Sequence, residues 1–331
     1  MEKPNQSASP RVFQASQPPQ AALSGALTRP PSSLWADAWQ RLKRNRAAIV
    51  SLFILAIIVL AAVFGPMIAP YAYDKQDLRQ SNKPPSAQHW LGTDRLGQDV
   101  LARLLIGARV SLAVAFVAQV VIVLIGLPAG LLAGYLGGWV DNLIMRTVEV
   151  LYSIPVLLLI ILIMTSLRET LERGEGPLAQ ALSVLDNASG GLLGTIIGIS
   201  LIAWIVVARL MRGQVLTLKK QEFVMAARAV GAPDLRIMRR HLLPNSLSPV
   251  IIAVTYGIPQ AIFLEAGLSF LGLGVRPPMP SWGLMIAEGS RAIRSYPYLV
   301  TSPALILAIT MICFTFLGDG LRDALDPRMK R

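Results

Sequence analysis

The chain has 331 residues, of which 53% are hydrophobic and 15% charged, with a mean hydropathy of +0.54. A soluble globular chain carries nearer a quarter charged residues, so this composition excludes a soluble domain. The formal charge of +12 could serve nucleic acid, but neither zinc-ligand spacing nor an RNP-type aromatic motif accompanies it, and basic residues collect in the cytoplasmic loops of membrane proteins.

Residues 1–33 are rich in Pro, Ser, Gln and Ala and hold no apolar run. They predict a disordered cytoplasmic leader rather than a cleaved signal peptide. A segment at 34–73 follows, an interfacial helix bearing Trp35 and Trp39 and then the first span. The basic run Arg41-Leu-Lys-Arg-Asn-Arg46 between them places the N-terminus in the cytoplasm.

Six apolar blocks with almost no charge lie at 47–73, 110–140, 150–167, 187–208, 242–264 and 295–318. Each is near or above the ~20 residues a helix needs to cross ~30 Å of hydrocarbon. A β-barrel would need short alternating segments, which runs such as 54–60 do not show. The expectation is an all-α membrane protein with six transmembrane helices.

The segment 74–109 is then extracytoplasmic although it holds six basic against four acidic residues; a longer translocated piece escapes the charge rule. Its Asp94, Arg95, Asp99 and Arg103 alternate in sign and read as a salt-bridged helix face. The loop 168–186 carries two Arg against four acids, which suits the outside. The stretch 209–241 carries eight Lys or Arg against Glu222 and Asp234 and belongs in the cytoplasm. The tail 319–331 ends in Arg328, Lys330 and Arg331, so both termini are cytoplasmic. The core of five spans occupies 110–318. Gly126, Pro128, Gly130 and Gly134 suit close helix contact in the second span.

The cytoplasmic loop 220–245 is too patterned to be a mere connection. Glu222 to Val230 reads as a short helix with Ala226 and Ala227 on one side, broken by Gly231. A second helix starts at Pro233, with Leu235, Met238 and Leu242 on one face and Arg236, Arg239 and Arg240 on another, and Pro244 stops it before the next span. Two short helices bent at a glycine form a knob; on pattern alone an interfacial pair with snorkelling arginines fits equally.

Ionisable residues inside spans are functional suspects. Glu149, Glu265 and Asp319 qualify, either beside a pathway or as interface and buried hydrogen-bonding groups. Gly257 and Pro259 bend the fifth span beside Glu265 where a pathway would run. The lone Cys313 lies in the last apolar block as a small core residue.

The knob's spacing resembles the "EAA" loop of ABC importer permeases: Glu-Ala-Ala, three residues, Gly, nine residues, Ile, any residue, Leu-Pro. Ala226, Ala227, Gly231, Leu243 and Pro244 fall in register, while Met225 stands at the glutamate position and His241 at the isoleucine. The stretches His89 to Leu104, Gly134 to Asn142, Glu265 to Gly274 with Pro277-Pro278, Pro280 to Met285 and Leu317 to Arg328 are similar to the C-type permease of dipeptide and oligopeptide importers, a group that includes nickel and glutathione systems. The likeness runs from about residue 35 to the end.

That resemblance implies a type I ABC importer permease (MetI-like) bundle in a bacterial inner membrane, multi-pass among membrane lipid. It implies a homologous second permease, two ABC ATPase subunits that bind ATP and Mg, and an extracytoplasmic substrate-binding protein. It makes the loop, His241 included, a coupling element that docks the ATPase. The chain has no Gly-Lys pair and hence no Walker A sequence, no His-Glu-x-x-His and no Gly-x-Ser-x-Gly, so it reads as neither ATPase nor membrane enzyme, and no cofactor or metal is expected in it. An ion-driven secondary transporter would show repeated halves around midplane charges, which one large basic loop does not suggest.

Overall fold

The computed structural model describes residues 34–173 and 176–325. The expected leader (1–33) and the basic tail end (326–331) lie outside the described residues. Those described are mostly helical, with a single isolated bridge between Thr93 and Asp99.

Helix α1 (Leu34–Leu42) precedes α2 (Arg46–Ile68), which opens where the Asn45 side chain accepts from the Ala48 N–H at 3.2 Å. In α2 the buried residues Ala48, Ser51, Leu55, Ile58 and Ala62 recur every three or four positions, the stripe by which one helix face meets its neighbours. The other faces stay apolar and exposed, as a lipid-facing helix requires. At its start Ala48 packs against Gly320 of α12 (Tyr298–Leu325), where a Cβ would come within 2.4 Å of the Ala48 Cβ. Ala38 and Leu42 of α1 join Ala48 and Ala324 there in one small apolar cluster.

Helix α3 (Val100–Leu136) is capped by the Asp99 carboxylate, which accepts from the Ala102 N–H at 2.8 Å, and ends at Gly137 with φ +67°. Its 37 residues span roughly 55 Å, more than the hydrocarbon needs. It packs most extensively on α7 (Leu192–Leu218). Gly126, Gly130 and Gly134 follow at intervals of four, and a Cβ on Gly130 would stand 2.3 Å from the Ala208 carbonyl oxygen. In lipid no hydrophobic gain drives helices together, so small residues that admit close backbone contact do so instead.

The third block differs from expectation. It is a pair, α4 (Gly138–Ser153) and α5 (Val156–Arg173), bent by 96°. Pro155 has no N–H and forces Ile154 into extended backbone (φ −90°, ψ 136°), so one straight span cannot form. Among the described residues five single helices are long and apolar enough to cross, or six where the bent pair counts as one broken span. The segment expected as an outer loop contains α6 (Pro177–Ala188), begun by a proline in its first turn. Helix α7 runs ten residues past its expected end, and within that extension Arg212 pairs with Asp141.

Helices α8 (Glu222–Ala229) and α9 (Asp234–Ile237) form the knob, and α9 passes through a π turn (Met238–Leu242) into α10 (Leu243–Phe270). Pro244 therefore does not stop a helix, contrary to expectation. The Leu243 N–H bonds back five residues to the Met238 carbonyl, which places Pro244 in a first turn where its missing N–H costs nothing. The Asn245 amide and Ser246 hydroxyl donate to the carbonyls of His241 and Leu242, at 2.6 and 2.7 Å. Helix α10 also runs unbroken through Gly257 and Pro259. Gly257 instead admits the Gln119 side chain of α3, whose amide nitrogen would be 2.6 Å from a Cβ.

At the opposite end a short helix, α11 (Trp282–Ser290), tucks back between α10 and α12. Residues 69–99 form an irregular cap against it rather than a salt-bridged helix. Arg103 joins Asp94 of the cap to Glu288 of α11, the latter at 2.8 Å, and the Tyr298 hydroxyl donates to the Lys83 and Thr93 carbonyls. His89 holds the second oxygen of the capping Asp99 at 2.8 Å.

Candidate functional site

The knob is built on a glycine. Gly231 has φ +82°, and its N–H bonds to the Arg228 carbonyl (2.9 Å) while the Ala232 N–H bonds to that of Ala227 (3.0 Å). These are the two bonds of a Schellman stop, which needs a left-handed residue at this point. A side chain on Gly231 would meet nothing within 4 Å, so the need is purely conformational.

Three side chains, Val224, Ile237 and Leu242, are fully buried and pin the knob to the bundle, with Met238 beside them. Sequence periodicity had Leu235 in that set, but the wide π turn puts residues five apart on one face, so Ile237 and Leu242 turn inward and Leu235 outward. Tyr135, at the end of α3, donates its hydroxyl to Asp234 and carries the Arg228 guanidinium 5.3 Å above its ring. The Lys219 ammonium donates to the Gly134 carbonyl at 2.8 Å and so caps the same helix end. Asp234, itself exposed, thus ties the knob to the end of α3. His241 is half-buried, its ring 6.4 Å from that of Phe223. Among the described residues no group of three His, Cys, Asp or Glu could hold a metal.

What remains outside is an apolar tip in a basic rim. Val230 is 89% exposed, Leu235 59% and Met225 54%, with Ala226 exposed beside them and Ala227 turned toward the core. Glu222, Arg228, Arg236, Arg239 and Arg240 surround the tip, and Pro244 is exposed at its base while Leu243 packs inward. Exposed apolar side chains clustered inside a polar rim mark an interaction surface, of the kind that meets a protein partner or a membrane interface.

Glu265 lies toward the other end of α10 and is closed in on every side. Ser111 of α3 and Ser269 donate to its two carboxylate oxygens, at 2.9 and 2.7 Å. The Ser281 hydroxyl reaches Ser269 (3.2 Å), and the Trp282 N–H reaches Ser111 (3.3 Å). In this conformation the carboxylate joins α3, α10 and α11 rather than lining an open wall. Pro259 does line a groove, with Phe263 and Met311, while Gly257 faces α3. Glu149 is exposed on α4 with Arg146 at 3.5 Å, and Asp319 accepts from the Tyr256 hydroxyl. Sequence reasoning missed Tyr135, Val224 and Ile237 under the knob and the serines around Glu265. Of these only Ser269, one helical turn from Glu265, carried a local signal.

A helical bundle with five to six candidate membrane spans among the described residues, and a knob held out on one basic loop, defines a polytopic membrane protein. The chain belongs to the family of binding-protein-dependent transport system inner membrane components, whose pattern it matches over residues 126–331. Residues 33–85 match the N-terminal TM domain of oligopeptide transport permease C. It is 42% identical to a dipeptide transport system permease protein of Bacillus subtilis over 92% of this chain and 89% of that protein. It is 39% identical to an oligopeptide transport system permease protein of Escherichia coli over 89% and 92% of the two chains. A glutathione transport system permease protein of E. coli is 38% identical over 94% and 97%. In fold it is similar to a chain of the MetNI methionine ABC transporter in an inward-facing conformation, with a TM-score of 0.52 at 22% identity over 68% of this chain and 96% of that one. The chain is a multi-pass inner-membrane permease.

Proposed function

We propose that this chain is one permease subunit of an ATP-driven importer of dipeptides and oligopeptides. It forms half of the passage together with a homologous second permease. Its basic end faces the cytoplasm, where the knob docks one of two ABC ATPase subunits that bind ATP and Mg, and an extracytoplasmic binding protein delivers the peptide to the opposite end. The observation that carries this reading is the knob itself: an exposed tip of Met225, Val230 and Leu235 on a rigid glycine stop, pinned by Val224, Ile237 and Leu242. Peptide as substrate rests on the dipeptide and oligopeptide relatives. Glutathione is the second reading, on the 38% identical relative.

The test is to replace Gly231 with valine, at a site where a left-handed backbone costs a β-branched residue about 1–3 kcal/mol. The variant is expected to insert normally yet to lose most peptide uptake and to co-purify poorly with its ATPase. Wild-type uptake by Gly231→Val would remove the knob from the mechanism. Uptake of glutathione but not of Ala-Ala by the wild-type complex would decide for the second reading.

A further inference from the structure

A groove of about 550 Å³ lies between α4 and α7 at the basic end. Its size is that of a small-molecule site, roughly 300–1,000 Å³. Its walls carry charge of both signs. Arg212 and Asp141 form one closed pair through two bonds of 2.6 Å, which leaves no net charge. Arg209 makes no carboxylate pair among the described residues; its guanidinium lies 4.5 Å from the Tyr152 ring centre, which fixes its plane and leaves its N–H edge for an anion. Among the described residues Glu149 has one ion-pair partner, Arg146 at 3.5 Å, and both side chains are highly exposed, so that pair contributes little.

The groove thus offers one cation over Tyr152 and one anion a helical turn back along α4. Glu149 and Tyr152 are three residues apart on α4, where Cβ atoms are ~5–6 Å from each other, and Arg209 stands over Tyr152. The two ends of an extended dipeptide are at most ~7 Å apart. A free anion or an anionic lipid headgroup would meet the Glu149 carboxylate beside Arg209, whereas a zwitterion satisfies both.

We propose that this groove binds the charged ends of a short peptide, Arg209 taking the terminal carboxylate and Glu149 the terminal ammonium, as the peptide leaves toward the basic side. The proposal rests on the peptide-importer reading above. The experiment uses the assembled transporter in nanodiscs free of phosphatidylethanolamine, a lipid whose headgroup is also a zwitterion. The probe is a dipeptide of photo-leucine and alanine, with crosslinks mapped by mass spectrometry and Ala-Ala uptake measured in parallel. If the wild type takes up no dipeptide, the importer reading fails before any variant is compared. With uptake present, crosslinks are expected on α4 and α7, cut about tenfold by Arg209→Gln and by Glu149→Gln. Arg209→Lys, which keeps the charge but not the stacked planar fork, should lose clearly less labelling than Arg209→Gln and guards against a folding defect, and the exchange Arg209→Glu with Glu149→Arg should recover part of the labelling. Labelling unchanged in both neutral variants overturns the proposal. So does labelling that vanishes when phosphatidylethanolamine is restored, since the groove would then hold lipid.

Discussion

The two ends of α10 put polar residues to opposite uses. At the knob, charges ring an apolar tip in solvent, and the position is set by three buried aliphatic side chains and one tyrosine hydroxyl. At the other end Glu265 and Arg103 are buried, the carboxylate held by two serines and the two terminal guanidinium nitrogens by Asp94 and Glu288. The knob is a surface kept available, and the joint is a rivet. Buried charge is costly to leave unpartnered, whereas exposed charge costs little to alter, so the two ends should respond very differently to substitution.

The largest effect should fall on Arg103→Ala, which strands Asp94 and Glu288 and should cost about 3–5 kcal/mol. Thermal unfolding of the purified protein would read it, and a midpoint unchanged from wild type would mean that the cap is not held by this residue. Next comes Glu265→Ala, which leaves two donating serines unpaired and should cost about 1–3 kcal/mol. Glu265→Gln keeps an acceptor and should recover much of that; equal losses in the two variants would point to packing rather than hydrogen bonds. Smallest in stability should be Tyr135→Phe, at about 1 kcal/mol. Its mark should appear instead as weaker ATPase co-purification, because it loosens the knob without altering the tip. A variant that loses stability and keeps full ATPase retention would make Tyr135 part of the rivet rather than of the knob's mounting.

The crossings were legible because hydrophobic length is a local property, and Gly231 because a glycine between two short helices has few other uses. The bend at Pro155 stood in plain sight inside an apolar block, where continuous hydrophobicity hid it. Pro244 misled in the other direction: a proline next to a helix start resembles a stop, and only the π turn before it decides which. The partners of Glu265 come from three helices, with Ser111 154 residues away in sequence, so no local pattern could announce them. The apolar anchors Val224 and Ile237 were hidden for a related reason, since a single buried side chain on a short helix has no periodicity to show. Helix α11 stayed hidden because its nine residues are too few for a periodic signal.

The π turn at 238–242 has a mechanical meaning. It lets the chain pass from knob to span without a break, so Asp234 to Phe270 is a single rod of 37 residues. Glu265 lies 31 positions along it, roughly 46 Å from Asp234. Its internal Pro249 and Pro259 and the π turn itself are the points at which such a rod would bend. On the proposed docking, a push at the tip of the knob is carried along one continuous helix toward the serine-lined joint, with the glycine stop near one end and the buried carboxylate near the other.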